Sequence, residues 1–138
     1  MFRAKVYVWS MAIEPFVYNC KLGRVIDGDT VVLSEIDLGF AVYLHNKTVR
    51  IAGIDTPESR INVKKYPERA KEKQLGLLAK VRLKEYLKGQ ITVKSHGTDK
   101  YGRILGDLYC ELGNVANLLK SEKLAVDYDG GKKTKVWL

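Results

Sequence analysis

The chain has 138 residues, of which 46% are hydrophobic and 29% charged, so it fits one folded domain and excludes the disordered and fibrous classes. Its net charge is +8, and the excess lies in residues 60–103, which hold 13 Lys and Arg against 4 Asp and Glu. This local positive field favours a polyanionic partner, although a solvated basic helix would give the same pattern.

Three runs of β-branched, aromatic and alternating residues predict strands in the first half of the chain, at 16–26, 30–36 and 48–54. Asp27-Gly28-Asp29 predicts a hairpin turn between the first two strands. Residues 41–44 are expected to extend a strand, and Asn46-Lys47 to turn the chain before the third strand. Pro57 ends that strand, because the residue before a proline is restricted, and a polar loop is predicted at 58–65.

A helix is predicted from Pro67, where helix-forming residues begin, to Lys88-Gly89, whose basic last turn suits the helix dipole. Arg82 interrupts its apolar stripe. The residues of that stripe recur at a period of 3.6: Leu75, Leu78, Ala79, Leu83, Tyr86 and Leu87.

Two more strands are predicted at 90–95 and 103–110, on either side of a loop at 96–102. Asn114 offers an N-cap to a short helix that ends near Lys123. Because the strands follow one another instead of alternating with helices, a parallel sheet is disfavoured. The order predicts an α+β, mainly β fold built on a small closed barrel.

The cysteines and the N-terminal segment bear on the cellular location of the protein. Cys20 and Cys110 match no zinc spacing and are too few for a disulfide framework, so we expect buried, reduced thiols. The apolar residues 6–13 are interrupted by Ser10, lack a small-residue cleavage site and are too short to span a membrane. We therefore expect no signal peptide, no membrane partner and a cytoplasmic location in preference to secretion.

The first motif that carries chemistry is Asp27-Gly28-Asp29-Thr30, at the end of a predicted strand. Two carboxylates two residues apart suit a hard cation such as Ca²⁺ or Mg²⁺, and the glycine lets the backbone turn sharply. Hairpin turns prefer the same residues without any metal. The motif is not an EF-hand loop, because Val31 stands where the third ligand is due.

The second motif runs from Arg50 to Glu58, where an arginine and an acid, Asp55, flank an apolar strand. Pro57 holds Thr56 extended, which can fix the direction of its carbonyl group. A buried strand that ends in an Asp-Thr-Pro turn would have the same sequence.

The third motif is the loop from Asp99 to Arg103, which places Lys100 and Arg103 beside Tyr101. Arginine can bind phosphate oxygens in a bidentate manner, and tyrosine can stack on a base or sugar. The same residues also suit a plain surface turn.

Taken in order, the three motifs resemble the staphylococcal nuclease family of thermonuclease-like enzymes, and the resemblance covers roughly residues 18–126. It implies a five-stranded OB-fold Greek-key barrel with two helices. The domain would span residues 16–138, after an N-terminal extension at residues 1–15 whose role is unknown.

The resemblance also implies a metal site. Asp29 and Asp55 match the two carboxylates that bind the metal directly in the family, and the carbonyl of Thr56 matches a backbone ligand. Asp27 matches an acid in the outer shell of that metal. The implied cofactor is one Ca²⁺ ion.

The remaining residues of the family pattern surround the substrate phosphate. Arg50 and Arg103 match its two phosphate-clamping arginines, and Glu58 matches the acid that positions or deprotonates the attacking water. Lys100 and Tyr101 match residues that contact the terminal phosphate of a bound nucleotide. The implied function is Ca²⁺-dependent hydrolysis of DNA and/or RNA with little sequence preference, leaving 3′-phosphate ends. We expect the protein to act as a monomer.

The C-terminus departs from the family pattern. Only residues 127–138 follow the second predicted helix, too few for the long C-terminal helix of the family. A second base-stacking tyrosine of the family aligns near Tyr128 but falls on Asp129 without a gap, so it is not assigned. We expect Trp137 to pack against the barrel or the predicted helix.

Two other classes compete with an enzyme. One is a non-catalytic module of the same fold that binds nucleic acid or protein, and such a module has no chemical need for acids that repel a polyanion. The other is a structural OB protein, which would need basic and aromatic residues on its strand faces. The acids Asp29, Asp55 and Glu58 together with Arg50 and Arg103 favour the enzyme.

Overall fold

Eight strands and two helices make up the part of the chain that the computed structural model describes, residues 14–131, 133 and 137. The strands are β1 Val17–Asp27, β2 Thr30–Gly39, β3 Val42–Ile51, β4 Ile54–Asp55, β5 Ile91–Thr98, β6 Ile104–Cys110, β7 Gly113–Asn114 and β8 Val126–Asp127. The helices are α1 Ala70–Tyr86, entered through a 3-10 turn at Pro67–Arg69, and α2 Val115–Ser121.

Five long strands close into a barrel. β1 pairs antiparallel with β2 and β5, and further antiparallel pairs join β2 to β3 and β5 to β6. A parallel pairing of β3 with β6 closes the sheet, with Val49 opposite Ile104 and Arg50 opposite Leu105. This mixed, mainly β barrel with two helices confirms the predicted OB-fold. Its interior is filled by fully buried aliphatic side chains: Val31, Leu33, Val49, Ile51, Ile91, Val93 and Leu108.

The β2–β3 hairpin extends further than expected. The predicted turn at Asn46-Lys47 is wrong, because both residues lie inside β3, and the chain turns at Phe40-Ala41 instead. Both turn residues have positive φ, 56° and 63°, as a two-residue turn requires to match the strand twist. Asn46 adopts a left-handed backbone within β3 (φ 55°). Asparagine tolerates this conformation in turns and here alike, so its presence wrongly indicated a turn.

The predicted strand at 48–54 is two elements. β3 ends at Ile51 and β4 begins at Ile54, with Gly53 between them at φ 81°. The left-handed glycine redirects the chain, because other residues rarely adopt that conformation. β4 thereby leaves the barrel sheet and pairs antiparallel with β8, which brings the C-terminal tail next to Asp55.

Helix α1 packs through small residues and not through the full predicted stripe. Leu78 is 48% exposed, so its assignment to the buried face is wrong, whereas Gly76, Ala79 and Leu83 are buried. A side chain at Gly76 would lie 2.6 Å from the backbone of Glu58, so only glycine permits this approach. Because the helix lies close to the segment after β4, the face that it buries is narrower than the spacing of its leucines predicts.

The second helix begins as the sequence predicts. The Asn114 side chain accepts a hydrogen bond from the Ala116 backbone amide at 2.8 Å, which caps α2. Arg82, which interrupts the apolar stripe of α1, donates from Nε to Glu122 at 2.7 Å and joins the two helices. Within the described range no further helix follows α2.

Several other expectations concern the ends of the chain and the cysteines. Both cysteines are free thiols; Cys20 is buried and Cys110 is partly buried. No helix among the described residues is long and apolar enough to cross a membrane. Most of the predicted N-terminal extension, residues 1–13, lies outside the described residues.

Candidate active site

A cleft of about 1040 Å³ brings the three predicted motifs together. It is lined by the β1–β2 turn, by β3, by the segment after β4, by the β5–β6 loop and by the C-terminal tail. Eight of the nine predicted site residues line it: Asp27, Asp29, Arg50, Thr56, Glu58, Lys100, Tyr101 and Arg103. The ninth, Asp55, is 5% exposed and does not line the cleft.

Asp29 is fixed by the elements on either side of it. Its Oδ1 accepts from the Thr30 hydroxyl at 2.9 Å and its Oδ2 from the Thr56 backbone amide at 3.1 Å. Its carbonyl accepts from the Ile51 amide at 2.8 Å. The preceding Gly28 permits this packing, because a Cβ there would lie 2.7 Å from the Ala79 Cβ of α1. The β1–β2 turn is therefore held rigidly against both the barrel and the helix.

Arg50 lies between two buried carboxylates. Its Nη2 is 3.5 Å from Asp29 Oδ2 and 3.8 Å from Asp55 Oδ1, and its Nη1 donates to the Ile51 carbonyl at 2.7 Å. The arginine is only 8% exposed. Charges in such a place interact more strongly than in water, so this guanidinium is oriented before any ligand arrives.

Asp27 and Glu58 share one cation that the sequence did not single out. Arg60 Nη2 donates to Asp27 Oδ2 at 2.9 Å and lies 3.7 Å from Glu58 Oε1. Ser59 donates to Asp27 Oδ1 from its backbone amide and from its hydroxyl. Burial, and then the negative charge of Asp27, raise the pKa of Glu58, while Arg60 opposes them. Glu58 thus combines partial burial with access to the cleft.

The β5–β6 loop is organised around Asp99. Its Oδ1 accepts from the backbone amides of Tyr101 and Arg103, each at 2.9 Å, and its Oδ2 accepts from Arg103 Nε at 2.8 Å. Burial acts to raise the pKa of Asp99, but the hydrogen bonds from Arg103 lower it overall. Lys100 Nζ and Arg103 Cζ each lie 5.3 Å from the centre of the Tyr101 ring, which is 71% exposed. The loop therefore presents two cations and an aromatic ring to the cleft, as predicted.

The C-terminal tail supplies a wall of the cleft that the sequence did not reveal. The Tyr128 amide donates to the Gly53 carbonyl at 2.9 Å, and Arg50 Cζ lies 5.8 Å from the centre of the Tyr128 ring. Lys133 Nζ lies 5.8 Å from the same ring centre and 2.9 Å from Asp55 Oδ1. One sequence feature could have indicated this wall. The second base-stacking tyrosine of the family aligns with Asp129 when no gap is allowed, and a gap of one residue would have aligned it with Tyr128.

The donors around Asp29 and Asp55 fit a hard cation. Both carboxylates are buried. Asp55 Oδ1 lies within ion-pair distance of Arg50 and Lys133, and among the described residues the buried Thr56 Oγ1 has no hydrogen-bond partner. Oxygen ligands of this kind are those that Ca²⁺ and Mg²⁺ prefer. Within that same range no three His, Cys, Asp or Glu side chains form a metal-binding group, so backbone or water oxygens would have to complete the shell.

Comparison with known proteins identifies the family. The family model described as "Staphylococcal nuclease homologue" matches residues 48–135, which is more than half of the chain. The chain belongs to the staphylococcal nuclease family. The matched range holds Arg50, Asp55 and the β5–β6 loop and begins after the β1–β2 turn, and the structure places Asp27 and Asp29 of that turn in the same cleft as Arg50 and Arg103.

A known protein is also similar to this chain, over more residues than the family model matches. "Endonuclease YhcR" of Bacillus subtilis (strain 168) is 36% identical over 109 residues, which cover 73% of this chain. The aligned region is 8% of that relative, so this chain corresponds to a small part of a much larger protein.

Proposed function

We propose that this protein is a nuclease that hydrolyses phosphodiester bonds of DNA and/or RNA with the help of one Ca²⁺ ion. The observation that carries the proposal is the convergence of Asp29, Arg50, Glu58 and Arg103 on one cleft. Membership of the staphylococcal nuclease family and the name of the relative, an endonuclease, support it.

The carboxylates of Asp29 and Asp55 and the carbonyl of Thr56 would hold the cation, with Asp27 in its outer shell. When bound, the cation would neutralise charge on the phosphate and polarise the bond under attack. Without it, two buried carboxylates near the cleft would repel an incoming phosphate.

The arginines contribute where charge develops. A phosphodiester carries one negative charge, and attack by water adds a second on the way to the transition state. Arg50, held in place by its buried carboxylates, and Arg103, presented by the β5–β6 loop, can each bridge two phosphate oxygens. Donors that strengthen as the reaction proceeds lower the barrier.

Glu58 is the residue that acts on the attacking water. Its side chain is 42% exposed and lines the cleft, so a water molecule can reach it. The carboxylate can orient that water or accept its proton. Cleavage then leaves a 3′-phosphate and a 5′-hydroxyl end.

Substrate binding is expected to depend on the sugar-phosphate backbone. Lys100 and Tyr101 offer a charge and an aromatic face at the cleft, and Tyr101 can stack on any base. Such contacts do not read base edges, so we expect little sequence preference.

The test is cleavage of supercoiled plasmid DNA and of a single-stranded RNA by the purified protein, in Ca²⁺ and in EDTA. We expect cleavage in Ca²⁺, none in EDTA, and little in the Asp29→Asn variant under either condition. Undiminished cleavage in EDTA would contradict the metal assignment. Binding of both nucleic acids without cleavage in Ca²⁺ would favour the non-catalytic module.

A further inference from the structure

Lys133 is the one basic side chain of the described tail that reaches a buried carboxylate of the site. Its Nζ lies 2.9 Å from Asp55 Oδ1, although 55% of the side chain is exposed. The pairing of β8 with β4 places the C-terminal tail beside Asp55. Tyr128 continues that path, with its hydroxyl donating to the Gly131 carbonyl at 2.5 Å.

Charge balance explains the contact. Asp29 and Asp55 are both buried, and Arg50 is shared between them, so one guanidinium faces two carboxylates. A buried carboxylate without a full partner is costly, and an ammonium group at Asp55 offsets that cost. Burial acts to lower the pKa of Lys133, but the Asp55 and Asp29 carboxylates outweigh it and raise that pKa.

The ammonium group and a divalent cation would compete for the same carboxylate. Asp55 Oδ1 is the oxygen that Lys133 contacts, and it belongs to a carboxylate assigned to the metal. A divalent cation bound to Asp55 would repel the Lys133 ammonium group, because the nitrogen of that group lies only 2.9 Å from an oxygen of the same carboxylate. Lysine has a flexible four-carbon stem, and the exposed part of this one borders the cleft.

We propose that Lys133 is an exchangeable internal counter-ion, which neutralises Asp55 in the metal-free protein and moves into the cleft to contact substrate phosphate when Ca²⁺ binds. The proposal rests on the function proposed above. It assigns to the tail a part in metal affinity as well as in substrate binding.

The first measurement is calorimetric titration with Ca²⁺ in the absence of nucleic acid. Lys133→Met removes the charge and keeps the length of the chain, so we expect Ca²⁺ to bind about twofold to fivefold more tightly, the range for loss of a partly exposed ion pair. Lys133→Arg keeps a competing charge and should bind Ca²⁺ nearly as the unsubstituted protein does. Lys84→Met, an exposed position of α1 that does not line the cleft, controls for net charge.

The second measurement is binding of a deoxynucleoside 3′,5′-bisphosphate in saturating Ca²⁺. Here Lys133→Met should bind more weakly than the unsubstituted protein, and Lys84→Met should be unchanged. Opposite effects on metal and nucleotide affinity are the signature of exchange, because a purely structural role for Lys133 would weaken both.

The outcomes separate the inference from the proposed function. If the unsubstituted protein binds Ca²⁺ and Lys133→Met binds it with equal or lower affinity, the counter-ion role is overturned and the nuclease proposal stands. If the unsubstituted protein binds no Ca²⁺, the metal site itself fails and the inference fails with it.

Discussion

The two arginines of the cleft look alike in sequence but occupy different surroundings. The Arg50 side chain is 10% exposed, lies between Asp29 and Asp55, and faces the Tyr128 ring. The Arg103 side chain is 33% exposed and is held through its Nε by Asp99, four residues earlier on the same loop.

The two arginines therefore depend on the fold to different degrees. Arg50 is joined to groups from the β1–β2 turn, β4 and the C-terminal tail, so its position depends on long-range structure. Arg103 depends on a local turn that needs only Asp99 and Gly102 (φ 80°). We therefore expect the two arginines to contribute similarly to the reaction and unequally to stability.

Arg50→Lys should have the largest effect. We expect kcat to fall because the activation free energy rises by about 2 to 4 kcal/mol. Lysine keeps the net charge but cannot bridge two phosphate oxygens. We also expect a loss of about 1 to 3 kcal/mol in the free energy of unfolding, since the buried hydrogen bond to the Ile51 carbonyl and the ion pairs are disturbed. Measurement of kcat and of urea denaturation checks both.

Arg103→Lys is the matched variant. Its barrier to turnover should rise by a similar amount, while the free energy of unfolding changes by less than about 0.5 kcal/mol, as for other substitutions outside the core. Equal destabilisation by the two variants would remove the distinction between a buried and a locally held arginine. Unchanged turnover in both would remove their catalytic assignment.

Glu58→Gln should act on the reaction alone. We expect turnover to fall by about 100-fold, as for loss of a group that handles the proton of the attacking water. Calcium affinity should stay within a factor of about 2, because Glu58 is assigned to the water and not to the metal. Steady-state kinetics and calcium titration of the same preparation give both numbers, and a parallel loss of Ca²⁺ binding would make Glu58 a ligand instead.

The smallest effect is expected at the end of the chain. Trp137 is half-buried, and its packing against the barrel or α1 stays a prediction. Deletion of residues 136–138 should lower the melting temperature by a few degrees, because loss of about 1 kcal/mol of apolar burial has that effect in a domain of this size. An unchanged melting temperature would mean that the indole contributes nothing to stability.

Local chemistry made most of the fold predictable. The hairpin at Asp27-Gly28-Asp29 and the cap at Asn114 follow from local residue patterns, and the barrel class follows from the order of strands and helices; the structure has all three. The nine site residues were expected from the family resemblance and not from local chemistry, and eight of them line one cleft.

The errors arise where distant parts of the chain meet. Leu78 satisfies the helical period but is exposed, since α1 approaches the Glu58 backbone through Gly76. Asn46 has the residue type of a turn yet lies within β3, because its partner strand continues. Lys133 reaches Asp55 only through the pairing of β8 with β4, which no local pattern indicates.

Calorimetric titration with Ca²⁺ in the absence of nucleic acid measures whether two buried carboxylates, Asp29 and Asp55, hold one divalent cation beside Arg50. The proteins to compare are the unsubstituted chain, Asp29→Asn, Asp55→Asn and, as control, Glu111→Gln at an exposed position away from the cleft. We expect one Ca²⁺ ion to bind, with affinity reduced about tenfold or more by each aspartate variant and unchanged in the control. Equal affinity in all four proteins, or no binding to the unsubstituted chain, would show that Asp29 and Asp55 do not bind Ca²⁺.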